Sequence, residues 1–159
     1  MNSRSEDFEK AKNYAFLLLK FRLRSVNELV ERLKRKGFTE ERSREVVSFL
    51  EEKKFVDDKL FAKSWINARL KRPFGLRRIR LELKAKGVDK EVVEEEIGNI
   101  SEDYTETEIV ADLIKVKLKR LKGIEPVVAK GRIYGYLVRR GFSPEIVINN
   151  LNRLCKQTS

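Results

Sequence analysis

The sequence predicts an all-α protein made of three tandem three-helix repeats of helix-turn-helix type, which together form an elongated, curved array. The main observation is a motif that occurs three times, around Gly37, Gly87 and Gly141. In each copy a leucine stands four residues before the glycine, a basic residue directly before it and an apolar residue directly after it. A motif repeated at such intervals, without any β-hairpin pattern, is typical of stacked helical units.

Each glycine motif predicts a helix that ends and a second helix that begins. Aliphatic residues eight and four positions before the glycine share one helix face. The glycine supplies the left-handed backbone that ends a helix, and the Thr, Asp or Ser two positions later is suited to cap the next one. The core positions expected from this pattern are Leu29, Leu33, Val47 and Leu50, then Ile79, Leu83, Ile97 and Ile100, then Ile133, Leu137, Leu151 and Leu154.

A further helix is expected before each of the three glycine-motif helix pairs. The first helix is expected to start near Ser3, and Ser25 with Glu28 forms a capping box that opens the second. Asp57 is expected to cap the first helix of the middle unit, with Asp58 favoured by the positive end of the helix dipole. The three predicted repeats are residues 1–54, 55–100 and 101–159.

Composition argues against an enzyme. The chain has 159 residues, no histidine and a single cysteine. This excludes histidine-dependent nucleophiles, histidine-ligated metals and an intramolecular disulfide. A glycine-rich phosphate loop is also missing. We therefore expect no catalytic residue, no metal and no cofactor.

The ends and the apolar runs of the chain give no sign of export or of a membrane. The N-terminus lacks an apolar signal core, and the longest apolar runs are far too short to cross a bilayer. These features predict a cytoplasmic protein that has no membrane contact, and we expect it to be a monomer.

Charge is strong and unevenly distributed. Lys and Arg number 36 against 25 Asp and Glu, a net charge of +11. Basic blocks at residues 69–86 and 115–140 flank an acidic block at residues 89–108. Such a surface indicates a partner that carries negative charge, for which nucleic acid and acidic protein are both candidates.

The candidate partner-binding residues belong to the two basic blocks. They are Arg69, Lys71, Arg72, Arg77, Arg78, Arg80, Leu81, Lys84, Lys115, Lys119, Lys122, Arg139 and Arg140. On a helical wheel Arg77, Arg80 and Lys84 lie opposite the apolar stripe, so packing does not need them. Leu81 lies among these bases and is either an apolar anchor for a partner or a packing contact to an adjacent unit. Lys115, Lys119 and Lys122 share one face of the seventh predicted helix, and this face is either a contact surface or a solvated face.

Other chemically suggestive residues have simpler interpretations. Asp57 and Asp58 could form a metal or acid–base pair, but a helix cap explains them better. Trp65 could stack on a base, but it shares a face with core residues and is expected in the core. Tyr134 and Tyr136 lie among arginines, which is thin support for single-strand binding.

Four segments resemble the RecX family of bacterial recombinase regulators. They are Phe55 to Ala62 with its two aspartates, Arg69 to Gly75, Ile79 to Val88, and Leu137 to Ser143. The resemblance covers nearly the whole chain and includes the triple repeat. It implies a nonenzymatic arc of three-helix repeats that binds the RecA–single-stranded DNA filament, where it inhibits strand exchange, ATP hydrolysis and co-protease activity in DNA repair. It also implies direct binding to single-stranded DNA, and double-stranded DNA is a further candidate.

The residues by themselves are also compatible with a second class of protein. A general basic helical protein could use its helix-turn-helix joints to bind DNA or RNA directly. Salt dependence distinguishes the two classes, because a protein that binds only phosphates loses affinity steeply as salt rises.

Overall fold

The computed structural model of the chain describes residues 3–156, which form nine α-helices and no β-strand. The helices are α1 (Ser3–Phe21), α2 (Val26–Lys36), α3 (Glu40–Glu52), α4 (Asp58–Leu70), α5 (Leu76–Ala85), α6 (Lys90–Gly98), α7 (Glu106–Arg120), α8 (Pro126–Arg139) and α9 (Pro144–Lys156). The prediction of an all-α protein is confirmed.

All three motif glycines end a helix in the same way. Gly37, Gly87 and Gly141 have φ values of 112°, 74° and 89°. The residue after each glycine donates its N–H to the carbonyl of the motif leucine, at 3.1 to 3.2 Å. Each glycine N–H also bonds to the carbonyl three residues earlier. These two hydrogen bonds together define the Schellman motif at the end of a helix, as the sequence motif predicts.

The helix starts are capped by side chains. Ser25 and Glu28 exchange the two hydrogen bonds of a capping box at the start of α2. Asp57 accepts from the second and third N–H groups of α4, at 2.8 and 3.3 Å. At α8 the first residue is Pro126, and the carboxylate of Glu125 accepts from the two N–H groups that follow the proline. Each arrangement satisfies N–H groups that a helix leaves without partners.

Contacts gather the chain into two compact units, and each has its own core. Unit 1 is Met1–Trp65 with Glu82–Glu96, and unit 2 is Ile66–Leu81 with Ile97–Ser159. The predicted core residues Leu29, Leu33, Val47 and Leu50 are buried in unit 1, with Ala11, Ala15, Leu18, Val30, Val46 and Val56. In unit 2 the buried cluster is Val110, Ile114, Ile133, Leu137, Phe142, Val147 and Leu151. The predicted core residues Ile97, Ile100 and Leu154 are only half-buried.

One of the buried residues of unit 1 is an arginine. Arg42, on α3, is only 8 % exposed. Its Nε donates to Asp7 at 3.0 Å, one terminal nitrogen donates to the carbonyl of Arg4, and the other contacts Glu45. The guanidinium is thus paired and hydrogen-bonded, which a buried charge requires.

In unit 1 the start of α2 packs on the turn at Gly87. Ser25 donates its hydroxyl to the carbonyl of Lys86 at 2.6 Å, and the N–H of Val26 donates to Asp58 at 2.8 Å. A Cβ on Gly87 would lie 2.4 Å from the Cβ of Asn27. The approach is therefore so close that only glycine fits.

In unit 2 the start of α5 packs on the turn at Gly141 in the same manner. The N–H of Gly75 donates to the carbonyl of Arg140 at 2.8 Å, and the N–H of Leu76 donates to Glu106 at 3.0 Å. A Cβ on Gly141 would lie 2.3 Å from the Cβ of Arg78. Each unit thus contains one joint of a common design, in which a helix start meets a glycine turn and an acid from the first turn of another helix.

Candidate partner-binding surface

Helix α5 carries the densest group of candidate residues. Its apolar side is closed, since Ile79 and Leu83 have no exposed surface. Arg77 and Lys84 are exposed, and Arg80 is half-buried. The predicted separation of a basic and an apolar side therefore exists on this helix.

Leu81 lies on the exposed side of α5 and is 67 % exposed. Because it follows Arg77 by four residues and precedes Lys84 by three, the three side chains share one helix face. Of the two interpretations left open by the sequence, an apolar anchor for a partner needs an exposed side chain, and Leu81 has one. The residue remains available to a partner.

Three candidate arginines of unit 2 surround one aromatic ring. The guanidinium carbon of Arg78 lies 4.2 Å from the centroid of the Phe74 ring, that of Arg140 at 5.1 Å and that of Arg69 at 5.5 Å. Phe74 itself is only 9 % exposed. These arginines therefore have cation–π contacts within the fold, which hold them in place beside the joint at Gly141. The neighbouring candidates Lys71 and Arg72 are exposed.

The remaining candidates lie on α7, α8 and the turn between them. Lys115, Lys119, Lys122 and Arg139 are all exposed. The Nζ of Lys115 lies 3.5 Å from Asp112. Both side chains are exposed, so this ion pair is weak and leaves Lys115 able to interact with a partner. The structure thus places these side chains on the surface of unit 2 but does not bring them into one pocket.

The aromatic residues have structural contacts. Lys117 and Arg140 lie 3.9 and 5.2 Å from the centroid of the Tyr136 ring. Trp65 is half-buried rather than enclosed in the core: its Nε1 donates to Glu82 at 2.9 Å, and its ring stacks on that of Phe61. The rings of Tyr136 and Trp65 therefore already have contacts within the fold on surfaces that could otherwise stack on a base.

The acidic residues of the joints have shifted pKa values. Burial raises the pKa of Asp58 and of Glu106, and the backbone N–H that each accepts partly offsets this. Burial also acts to raise the pKa of Glu28, but hydrogen bonds from Arg22 and Lys86 outweigh it and lower the value to about 2. Glu28 is therefore ionised under all ordinary conditions, and it binds two cations at the joint of unit 1.

Residues 3–156 offer neither a metal site nor a membrane span. This part of the chain contains no group of three or more His, Cys, Asp and Glu side chains placed to hold a metal ion. None of its helices is both long and apolar enough to cross a membrane.

Sequence reasoning missed a basic cavity in unit 1. The cavity has a volume of about 290 Å³, and its basic lining residues are Arg22, Arg24, Arg32, Arg35 and Lys86. None of the five is among the predicted site residues. The signals available in the sequence were the two arginines just before the capping box and the two on α2, but they lie outside the basic blocks.

Comparison with known proteins gives a consistent result. Residues 11–50 match the family model described as RecX, first three-helix domain, and residues 57–96 match RecX, second three-helix domain. The chain is 35 % identical over 139 residues to the regulatory protein RecX of Amycolatopsis mediterranei, covering 86 % of this chain and 78 % of that protein. It is 36 % identical over 150 residues to the regulatory protein RecX of Thermotoga petrophila, covering 92 % and 85 %.

A solved structure shares the fold. The crystal structure of RecX from Lactobacillus salivarius has a TM-score of 0.80 at 23 % identity, covering 94 % of this chain and 97 % of that one. With nine helices in residues 3–156, three-helix domains at the matched positions and relatives above 30 % identity, the chain belongs to the RecX family of regulatory proteins.

Proposed function

We propose that this chain is a nonenzymatic regulator that binds the RecA–single-stranded DNA filament and inhibits its strand exchange, ATP hydrolysis and co-protease activity. Membership of the RecX family supports the regulatory role. The observation that carries the choice of surface is the exposed face of α5, where Leu81 stands between Arg77 and Lys84. An apolar side chain framed by cations suits a partner surface that is acidic and has an apolar pocket.

The proposed contacts combine electrostatic attraction with the burial of an apolar side chain. Arg77 and Lys84 attract an acidic surface or phosphates and speed the encounter, because their charges are exposed. Leu81 loses water on docking and slows dissociation. The lysines of α7 add weak contacts, and several weak contacts on one chain favour a polymer over its free subunits.

Strand exchange by the recombinase, with this protein at a small fraction of the recombinase concentration, tests the proposal. Inhibition at such a ratio is expected from a protein that acts on a filament. The variant Leu81→Ala and the double variant R77A/K84A should each need about fivefold or more protein for half-inhibition, corresponding to about 1 kcal/mol of binding energy. Leu60→Ala is the matched control, since Leu60 is a 56 % exposed leucine on α4.

Two results would reject the proposal. Strand exchange that proceeds unchanged at equimolar protein removes the inhibitory role. Equal affinity for bare duplex and for the filament, with a steep loss of both as salt rises, favours a general nucleic-acid-binding protein instead.

A further inference from the structure

Unit 1 has a cavity of about 290 Å³ where the end of α1, helix α2 and the end of α5 meet. Taking about 30 Å³ for each water molecule, it holds about ten waters. Its walls carry five cationic side chains and two carboxylates, those of Glu28 and Glu31. The cavity is therefore suited to a small, hydrated anionic group.

Both carboxylates already have partners inside the fold. Glu28 accepts from Arg22 at 2.8 and 3.1 Å and from Lys86 at 2.8 Å. Glu31 pairs with Lys34 at 3.3 Å. The acidic groups of the wall are thus used to hold the joint and one surface lysine.

Three guanidinium groups at the cavity remain without a carboxylate. Arg24, Arg32 and Arg35 have no acidic group within 4.0 Å among residues 3–156. The side chain of Arg24 is half-buried, and its Nε makes one long bond, 3.4 Å, to the carbonyl of Leu18. Arg32 and Arg35 are exposed and lie one turn apart on α2. They add charge on the open side of the cavity.

The surroundings of Arg24 disfavour its charge. Burial lowers the pKa of Arg24 most, repulsion from Arg22 and Arg32 lowers it further, and attraction to Glu28 offsets only part of this. A bound anion would relieve both effects, because it supplies the missing hydrogen-bond acceptor and the opposite charge. Guanidinium groups match the oxygens of a phosphate in geometry as well as in charge.

We infer that this cavity binds one phosphate group of a single-stranded nucleic acid at Arg24, and that Arg32 and Arg35, on its open side, bind the next two phosphates of the strand. The inference rests on the proposed function for the identity of the strand, and it adds a phosphate site in unit 1, separate in sequence from both basic blocks. A backbone phosphate is favoured over a free ion because Arg32 and Arg35 continue the charge outward along α2, where the next phosphates of a strand would lie.

Binding of a fluorescein-labelled deoxythymidine oligonucleotide to the chain alone, followed by anisotropy over a range of salt concentrations, tests the inference. No recombinase is present, so the outcome is independent of filament inhibition. The variant R24Q/R32Q/R35Q should reduce the slope of log K against log salt by about 2, at about 0.7 for each phosphate that the variant no longer neutralises.

The matched control is K10Q/K54Q/K63Q. It removes three exposed lysines of unit 1 that do not line the cavity. Its slope should change by less than about 0.7. Equal slopes in the two triple variants overturn the inference, because the loss would then reflect net charge and not the cavity.

Two further measurements keep the test decisive. If circular dichroism shows that the triple variant does not fold, the single variant Arg35→Gln, at an exposed position, should still reduce the slope by about 0.7. In the second measurement, inorganic phosphate replaces chloride at constant ionic strength, and the melting temperature of the protein is followed as the phosphate concentration rises. Protection by phosphate that R24Q/R32Q/R35Q removes, with an unchanged oligonucleotide slope, would assign the cavity to free phosphate and overturn the nucleic-acid assignment.

Discussion

Asp58 and Glu106 hold the same place in the two joints of the chain. Each is an acid in the first turn of its helix, and each accepts the N–H of the first residue of another helix, Val26 at 2.8 Å and Leu76 at 3.0 Å. A negative charge at that point also faces the positive end of a helix dipole. The same interaction therefore fixes the start of α2 in unit 1 and the start of α5 in unit 2.

Replacing Asp58 with alanine should destabilise unit 1. The N–H of Val26 loses its acceptor, and a lost cap of this kind costs about 1 kcal/mol of unfolding free energy. Asp58→Asn keeps an acceptor oxygen and should cost less. Urea unfolding followed by far-UV circular dichroism measures both, and equal stability of Asp58→Ala and the parent protein would contradict the role of the bond.

Alanine at Gly141 should cost far more than alanine at Gly37. Both glycines have positive φ, 89° and 112°, so each substitution carries about 1 to 2 kcal/mol of backbone strain. At Gly37 a Cβ meets nothing within 4 Å, whereas at Gly141 it would lie 2.5 Å from the backbone nitrogen of Arg78. We expect Gly141→Ala to lose about 1 to 3 kcal/mol beyond Gly37→Ala in denaturant unfolding. Equal losses of unfolding free energy in the two variants would show that the backbone around Gly141 and Arg78 shifts at little cost to make room for a Cβ.

Stability should fall in acid through Glu28. Its pKa is about 2 in the folded chain against an ordinary value of 4.5, so the folded state binds the proton less readily than the unfolded state. The contribution of Glu28 is therefore complete above about pH 4.5 and is lost as the pH falls toward 2. Urea midpoints between these limits should decline less steeply in Glu28→Gln than in the parent protein. Parallel curves would remove Glu28 from the acid response.

The buried Arg42 and its half-exposed partner Asp7 should be coupled energetically. Asp7→Ala leaves the Nε of Arg42 without its acceptor in a largely buried setting, and a cost of about 1 to 2 kcal/mol is expected. Arg42→Met removes the charge and keeps much of the volume, so adding it to Asp7→Ala should recover part of the loss. A double-mutant cycle from unfolding free energies should give a coupling of about 1 kcal/mol. Additive losses would mean that the pair contributes nothing specific.

The sequence predicts those parts of the fold that depend on neighbouring residues. The glycine endings at Gly37, Gly87 and Gly141 and the capping box at Ser25 are set within six residues of chain, so their patterns are readable directly. The same holds for the apolar side of α5, where Ile79 and Leu83 are buried as expected.

Contacts between distant residues could not be predicted in this way. The sequence assigns Asp58 to the dipole of its own helix, yet the carboxylate also bonds to the N–H of a residue 32 positions earlier. The clustering of arginines on Phe74 joins residues from two helix ends and a turn. The cavity of unit 1 likewise combines α2 with Lys86. Such partners are chosen by tertiary packing, about which local periodicity carries no information.

Pro126 has a consequence for how many times the joint can recur. Val26 and Leu76 each donate an N–H outward from the first position of a helix, but the corresponding residue of α8 is a proline and has no N–H to give. Glu125 satisfies the next two N–H groups from within its own segment. The start of α8 therefore cannot form a third junction of this kind, because it lacks the N–H donor on which the other two depend.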